Sequence, residues 1–273
     1  MNDLSHVYKT LQQNPNTDEM PVLFLGHGSP MNAVTDNAFS RNWRAIGQHL
    51  PKPEAILSIS AHWITPGQTR VATTQTPETI YDFGGFPQIL YDQTYPAPGS
   101  PDFAQQTIEL VQKTHILPDD RWGLDHGTWS ILLQMYPSAQ IPVYQLSLDY
   151  AKSPQYHFEL ARELKALRNK GVLIIGSGNM VHNLRALQFE AAPYDWAMEF
   201  DKMMTGFIDE GNYQAVVDFQ KLGTLSRLAH PTHDHFLPLL YILALMEGDE
   251  LDYFNDDFDL ASISMRSFIG MKQ

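Results

Sequence analysis

The chain has 273 residues, a hydrophobic fraction of 43%, a formal net charge of −13 and no cysteine. That length and apolar content suit one sizeable core. The charge argues against nucleic acid, because replacing phosphate counterions takes clusters of Lys and Arg. Without thiols there are no disulfides, thiolate zinc sites, iron–sulfur clusters or cysteine nucleophiles, so any metal must be held by His, Asp or Glu.

The stretch up to about Asp18 is polar and reads as a frayed or loosely docked helix, an extension ahead of a single domain. It carries no apolar signal-peptide core, which makes the cytoplasm the expected compartment. Four runs, Pro21–Leu25, Ala55–Ser60, Ile141–Leu146 and Val172–Ile175, are short, mostly apolar and bounded by Gly, Pro or Ser. This is the pattern of central strands covered on both faces. Leu260–Phe268 alternates in part and reads as a fifth strand. Between them lie helical patterns. Ser100 and Pro101 open one over Pro101–Thr114. Ser153 and Pro154 open another over Pro154–Lys170, which Gly171 closes. Asp195–Glu210 and Leu237–Glu247 have helical spacing too. Strands alternating with helices predict an α/β fold, a central mostly parallel sheet flanked by helices on both faces.

The longest apolar run, Phe236–Met246, is too short to span a bilayer, and no basic amphipathic stretch predicts a membrane surface. Thr65–Gly99 is rich in Pro, Gly and aromatic residues without periodicity. Such a segment is either the wall of a site or a misread element.

Three of the strands run into polar sequence. Pro21–Leu25 leads to Gly26-His27-Gly28-Ser29-Pro30, Ala55–Ser60 to Ala61-His62-Trp63, and Val172–Ile175 to Gly176-Ser177-Gly178-Asn179-Met180-Val181-His182-Asn183. Open α/β sheets form their sites just beyond the carboxyl ends of the strands, which brings His27, His62 and His182 to one edge. A single His after a strand is more often structural; the glycines flanking His27 argue otherwise, because they let the backbone approach a ligand. A further cluster, His230-Pro231-Thr232-His233-Asp234-His235, precedes the Leu237 helix. His235, next to the apolar run, is expected to point inward more readily than His233. In Asp125-His126-Gly127-Thr128-Trp129, Asp125 either orients His126 or caps a helix beginning near Trp129. His49, His115 and His157 read as structural or solvent-facing. Gly176-Ser177-Gly178 fails as a dinucleotide loop because Val181 takes the third glycine position. Neither Ser29 nor Ser177 sits in a nucleophile elbow.

Five segments in order, Phe24-Leu25-Gly26-His27-Gly28-Ser29-Pro30-Met31, Ser60-Ala61-His62-Trp63, Tyr81-Asp82-Phe83-Gly84-Gly85-Phe86-Pro87, Asp125 to Trp129 and Gly176 to Asn183, resemble the class III extradiol ring-cleavage (LigB-like) dioxygenases, in their 4,5-DOPA branch. The resemblance runs from about Met20 to Phe268. It implies a non-haem Fe(II) enzyme that opens a catechol such as L-DOPA with O₂ to a ring-opened semialdehyde, 4,5-seco-DOPA. By position it implies His27, His62 and His235 as metal ligands. His182 becomes the acid–base histidine, close enough to the metal in some members to count as a ligand, and His126 the contact to substrate or oxygen. The wider class completes a two-His-one-carboxylate set; here His235 is expected over Asp234, the carboxylate option. A three-His shell also suits Zn²⁺.

The Tyr81–Pro87 segment is then either a wall against water or a packed aromatic loop. Arg70, Arg185 and Arg227 are candidates to meet a substrate carboxylate, though each reads more readily as a surface residue. Two rival readings use the same histidines: a zinc hydrolase of a small ester or amide, and a non-catalytic binding protein. His126 and His182 beside a complete ligand set argue against the second.

Overall fold

Successive strand residues point to opposite faces of a sheet, and this chain buries both. The computed structural model describes Leu4, Val7 and residues 19–272. The expected N-terminal helix lies outside them, apart from Leu4 and Val7, which are buried. Strand β1 (Val22–Gly26) sends Val22 and Phe24 into one core and Leu23 and Leu25 into the other. Strands β2 (Ala55–Ile64), β5 (Val143–Leu148) and β6 (Val172–Gly178) divide their apolar side chains in the same way. With β3 (Thr69–Ala72), β4 (Ile116–Asp119), β7 (Glu250–Phe254) and β10 (Ser267–Met271) they form one sheet in the order β4-β3-β5-β2-β6-β1-β10-β7. The pairs β3–β4, β2–β5, β2–β6 and β1–β6 are parallel, while β3–β5, β1–β10 and β10–β7 are antiparallel. A small hairpin, β8 (Phe258–Asp259) with β9 (Ile263–Ser264), stands apart.

Helices α1 (Ala38–His49), α2 (Gln88–Tyr91) and α4 (His126–Met135) cover one face through Trp43, Ile46, Leu90, Trp129 and Leu132. The other face is covered by α3 (Pro101–Leu110), α5 (Pro154–Glu163), α6 (Asp195–Asp209), α7 (Tyr213–Val217) and α9 (Leu237–Leu245), with α8 (Thr224–Ala229) beside them. Every residue of α9 is buried, as expected for a helix that is apolar all round. Among the described residues no helix is long and apolar enough to cross a membrane. The α/β fold with helices on both faces is therefore as expected.

Several boundaries differ. Strand β2 was expected to stop at Ser60 but continues to Ile64 through a register irregularity after Ile59. Strand β6 continues through Gly176-Ser177-Gly178, where glycine permits close helix packing: a Cβ at Gly176 would lie 2.7 Å from the Pro238 carbonyl oxygen. Leu260–Phe268 is not one strand, because Leu260 and Ala261 take positive φ (51° and 64°) in a tight turn between β8 and β9. The Pro101 helix ends at Leu110. The Pro154 helix tightens to 3-10 geometry over Lys165–Lys170 before Gly171 at φ 77°. Thr65–Gly99 contains β3 and α2, so it is in part a misread element.

The edges of the core are tied by Arg168, which is fully buried. Its guanidinium donates to the carbonyls of Met20 (2.7 Å) and Leu245 (2.8 Å) and pairs with Asp249 (2.6 Å) and Glu19 (3.1 Å). Removing one member of such a buried network strands the opposite charge, at a cost of about 3–5 kcal/mol. Arg168→Ala is expected to lower the unfolding free energy by that amount, read in equilibrium denaturation as a lower urea midpoint at unchanged slope.

Candidate metal centre

Strands β2, β6 and β1 are neighbours, so the residues at their carboxyl ends meet. His27 directly follows β1, and its N–H donates to the Gly178 carbonyl at the end of β6 (3.1 Å). His62 lies in the last residues of β2. The Asn179 N–H donates to the His235 carbonyl (2.9 Å), drawing the segment before α9 over the same edge. His182 donates its N–H to Ala229 and bridges to Ile263 of β9. His126 is the first residue of α4. These five histidines line one cavity of about 630 Å³.

The Nε2 atoms of His27 and His62 face each other at 3.1 Å. The His235 ring lies 5.2 Å from His27 and 4.9 Å from His62, centroid to centroid. Ring nitrogens of these three fall within 4.8 Å of one another, an arrangement that could hold a metal ion. His182 stands outside this group, stacked face to face on His235 at 3.5 Å. A second possible group joins His62 and His126 to Asp82.

Oxygen atoms behind the rings set their orientation. The Ser177 hydroxyl donates to the Gly127 carbonyl (2.6 Å), so its oxygen is left to accept from His27 Nδ1 (2.9 Å). His62 Nδ1 lies 3.1 Å from Asp82 Oδ2, and His235 Nδ1 lies 3.3 Å from Asp234 Oδ2. Each ring thus has an oxygen behind its Nδ1 and its Nε2 lone pair turned the other way, the usual outer support of a metal-binding imidazole. Asp234 contacts the His235 ring and is in neither group of residues that could hold a metal ion.

Burial pushes His27 well below its usual pKa, and repulsion from His62 and His235 adds to this. His235 falls to about 4, chiefly through burial. Burial also holds His182 well below the usual value, helped by His235, and lowers His126. His62 moves the other way: burial opposes its charge, but the hydrogen bond to Asp82 and the Asp125 and Asp82 carboxylates prevail. Asp82 resists its own burial and is held well below the carboxylate range by His126 and His62. Two Nε2 lone pairs cannot face each other at 3.1 Å without a proton or a cation between them. Once that proton is given up, the three imidazoles offer a lone-pair-bearing donor set that fits a divalent metal.

Asp82 does what Asp125 was a candidate to do. It accepts from the His126 N–H (2.9 Å), and its Oδ2 lies 3.0 Å from His126 Nδ1 as well as against His62. Asp125 instead caps α4 through the Thr128 N–H (3.2 Å) and accepts from Ser60 (2.6 Å) and Gln145 (2.7 Å). That helix starts at His126, not near Trp129. In the sequence, Asp82 stood within an aromatic segment read for its shape; the signal was a carboxylate among rings. Phe83 from that segment sets its edge on His126 at 5.4 Å, and Phe83 and Phe86 line the cavity.

Three further histidines serve packing. His157 bonds Tyr241 and the Asp149 carbonyl, His230 bonds the Met180 carbonyl, and His233 stacks on Tyr150 at 4.2 Å. His49 and His115 are exposed. None of Arg70, Arg185 and Arg227 lines the cavity; Arg70 pairs with Asp119. A Cβ at Gly127 would meet Ser60 Oγ at 2.6 Å and His62 Cδ2 at 2.9 Å. Gly127→Ala is therefore expected to cost about 1–3 kcal/mol by overpacking and to weaken metal binding with it; thermal melts with and without metal would measure both.

A family model described as the catalytic LigB subunit of aromatic ring-opening dioxygenase matches residues 5–266. The chain is 45% identical over 264 residues to a 4,5-DOPA dioxygenase extradiol of Escherichia coli (strain K12), covering 92% of this chain and 95% of that one. A Beta vulgaris protein of the same name is 37% identical over 258 residues, covering 90% and 95%. The crystal structure of an uncharacterized protein from Escherichia coli K12 superposes with a TM-score of 0.78 at 38% identity, over 92% of this chain and 99% of that one. Nothing in these relatives supports a hydrolase. The chain belongs to the family of the catalytic LigB subunit of aromatic ring-opening dioxygenases, metal-dependent oxidoreductases.

Proposed function

We propose that this enzyme opens the ring of a catechol beside its two hydroxyls with O₂, that L-DOPA is such a substrate, and that the product is a semialdehyde such as 4,5-seco-DOPA. The observation that carries this reading is the convergence of His27, His62 and His235 in an aromatic-walled cavity with two further histidines at hand. The three are the proposed ligands of Fe(II). When bound, Fe(II) supplies positive charge that acidifies the catechol hydroxyls and a path for electrons from ring to O₂.

The chain's own groups do the rest. His182 is neutral and stacked on His235, so a ring nitrogen is free to take a catechol proton and return it later. It serves as the acid–base group and not as a ligand, in keeping with its place outside the three-His group. His126 keeps Nδ1 on Asp82, which leaves Nε2 to meet a substrate oxygen: it accepts the hydroxyl hydrogen or, once protonated, steadies the developing oxyanion. Phe83 and Phe86 exclude water from this side.

Three neutral imidazoles also bind Zn²⁺ well, so the metal must be tested by function. Protein stripped and reloaded with Fe(II) is expected to consume O₂ and yield a yellow ring-opened product from L-DOPA, while the Zn²⁺ form is inert. Ester hydrolysis by the Zn²⁺ form, with no O₂ uptake by the Fe(II) form, would contradict the proposal.

A further inference from the structure

The cavity runs past the histidines to the β8–β9 hairpin, where Leu184, Leu260, Ile263 and Asp259 form its wall. Asp259 pairs with Ile263 across the hairpin, and Ile263 bridges in turn to His182. Residues directly opposite on neighbouring strands share a face, so Asp259 and His182 look into the same space. They stand two strand spacings apart, roughly 10 Å between Cα atoms. A short arm on a catechol ring held beside His182 would span that gap.

The charges around this end are one-sided. Among the described residues no Lys or Arg lines the cavity. The other carboxylate in the wall, Asp82, is committed to His62 and His126. Asp259 is half-buried, and burial raises its pKa with only a backbone hydrogen bond from Leu260 in opposition. No basic side chain among the described residues pairs with it. A half-buried carboxylate without a partner is costly, and a cation from the ligand would relieve that cost. An anionic arm would find repulsion and no counter-charge.

We propose that Asp259 binds an ammonium group on the substrate's ring substituent, so that the cavity selects catechols with a short amine-bearing arm and disfavours those whose arm carries only a carboxylate. This rests on the catechol reading above and adds to it a residue that sets specificity. L-DOPA is then held by its amine, which explains why the cavity needs no arginine.

The test compares three ligands with the same ring: dopamine, neutral 4-ethylcatechol and 3,4-dihydroxyphenylpropionate. Dissociation constants are measured on Zn²⁺-loaded protein without turnover, and kcat and KM on the Fe(II) form. Wild type is expected to bind dopamine most tightly and the acid most weakly. Asp259→Asn, which keeps the shape and the backbone contact, is expected to weaken dopamine by roughly tenfold, to act through KM, and to leave 4-ethylcatechol unchanged. Equal binding of dopamine and 4-ethylcatechol, or a preference for dopamine that survives Asp259→Asn, would overturn the assignment. Amine-selective binding lost in Asp259→Asn, with no ring opened by the Fe(II) form, would uphold Asp259 and refute the ring-opening reading alone.

Discussion

His182→Ala protein is expected to retain its metal and lose about 10²–10⁴ of its turnover, the usual contribution of a positioned acid–base group. The ring lies flat on His235 at 3.5 Å and outside the three-His group. Its removal leaves the supports of the other rings intact: Ser177 behind His27, Asp82 behind His62 and Asp234 behind His235. Metal analysis of the purified variant separates the two roles. Full metal content with crippled kcat fits an acid–base group; metal-free protein would make His182 a principal ligand. The affinity for 4-ethylcatechol should change little, since the hydroxyls still reach the metal.

Asp82→Asn is expected to lower metal affinity by about 10–100-fold, the typical loss when a histidine ligand loses its outer partner, and to lower kcat further once metal is saturating. One carboxylate oxygen faces Nδ1 of both His62 and His126, and the other accepts the His126 N–H. An amide can still accept that N–H, but its NH₂ then opposes two imidazole nitrogens. Either ring must change tautomer or turn, which misplaces the Nε2 of His62 and of His126. Metal titration against a competing chelator gives the first effect, and kcat at excess metal the second. Normal values for both would show that Asp82 only packs against the rings.

Much of this architecture was legible from residues alone, for a physical reason. Central strands of a parallel sheet are covered on both faces, so β1, β2, β5 and β6 read as continuous apolar runs. The edge strands did not read this way. β3 and β4 have four residues each, too few to show a period. Helix α1 has little sequence signature, because its buried face rests on Trp43 and Ile46 among polar neighbours, while its start is set by the reciprocal Asn37–Ser40 cap. At the site, His27 and His62 were legible from strand ends that topology brings together. His235 depends on a loop contact over β6 that no periodicity encodes. Asp82 was the least legible, because its importance lies in partners 20 and 44 residues away that only the folded chain brings within reach.

The most direct test of the central claim is the fate of oxygen. Fe(II)-loaded enzyme given L-DOPA under heavy-isotope O₂ is expected to consume one O₂ per ring opened and to place the heavy atom in the new carboxyl group, while the aldehyde oxygen exchanges with water. His27→Ala or His62→Ala protein, expected to hold no metal, should give neither uptake nor label. A ring-opened product labelled only from water, or labelled product from either metal-free variant, would contradict a histidine-held iron centre that adds O₂ across the catechol ring.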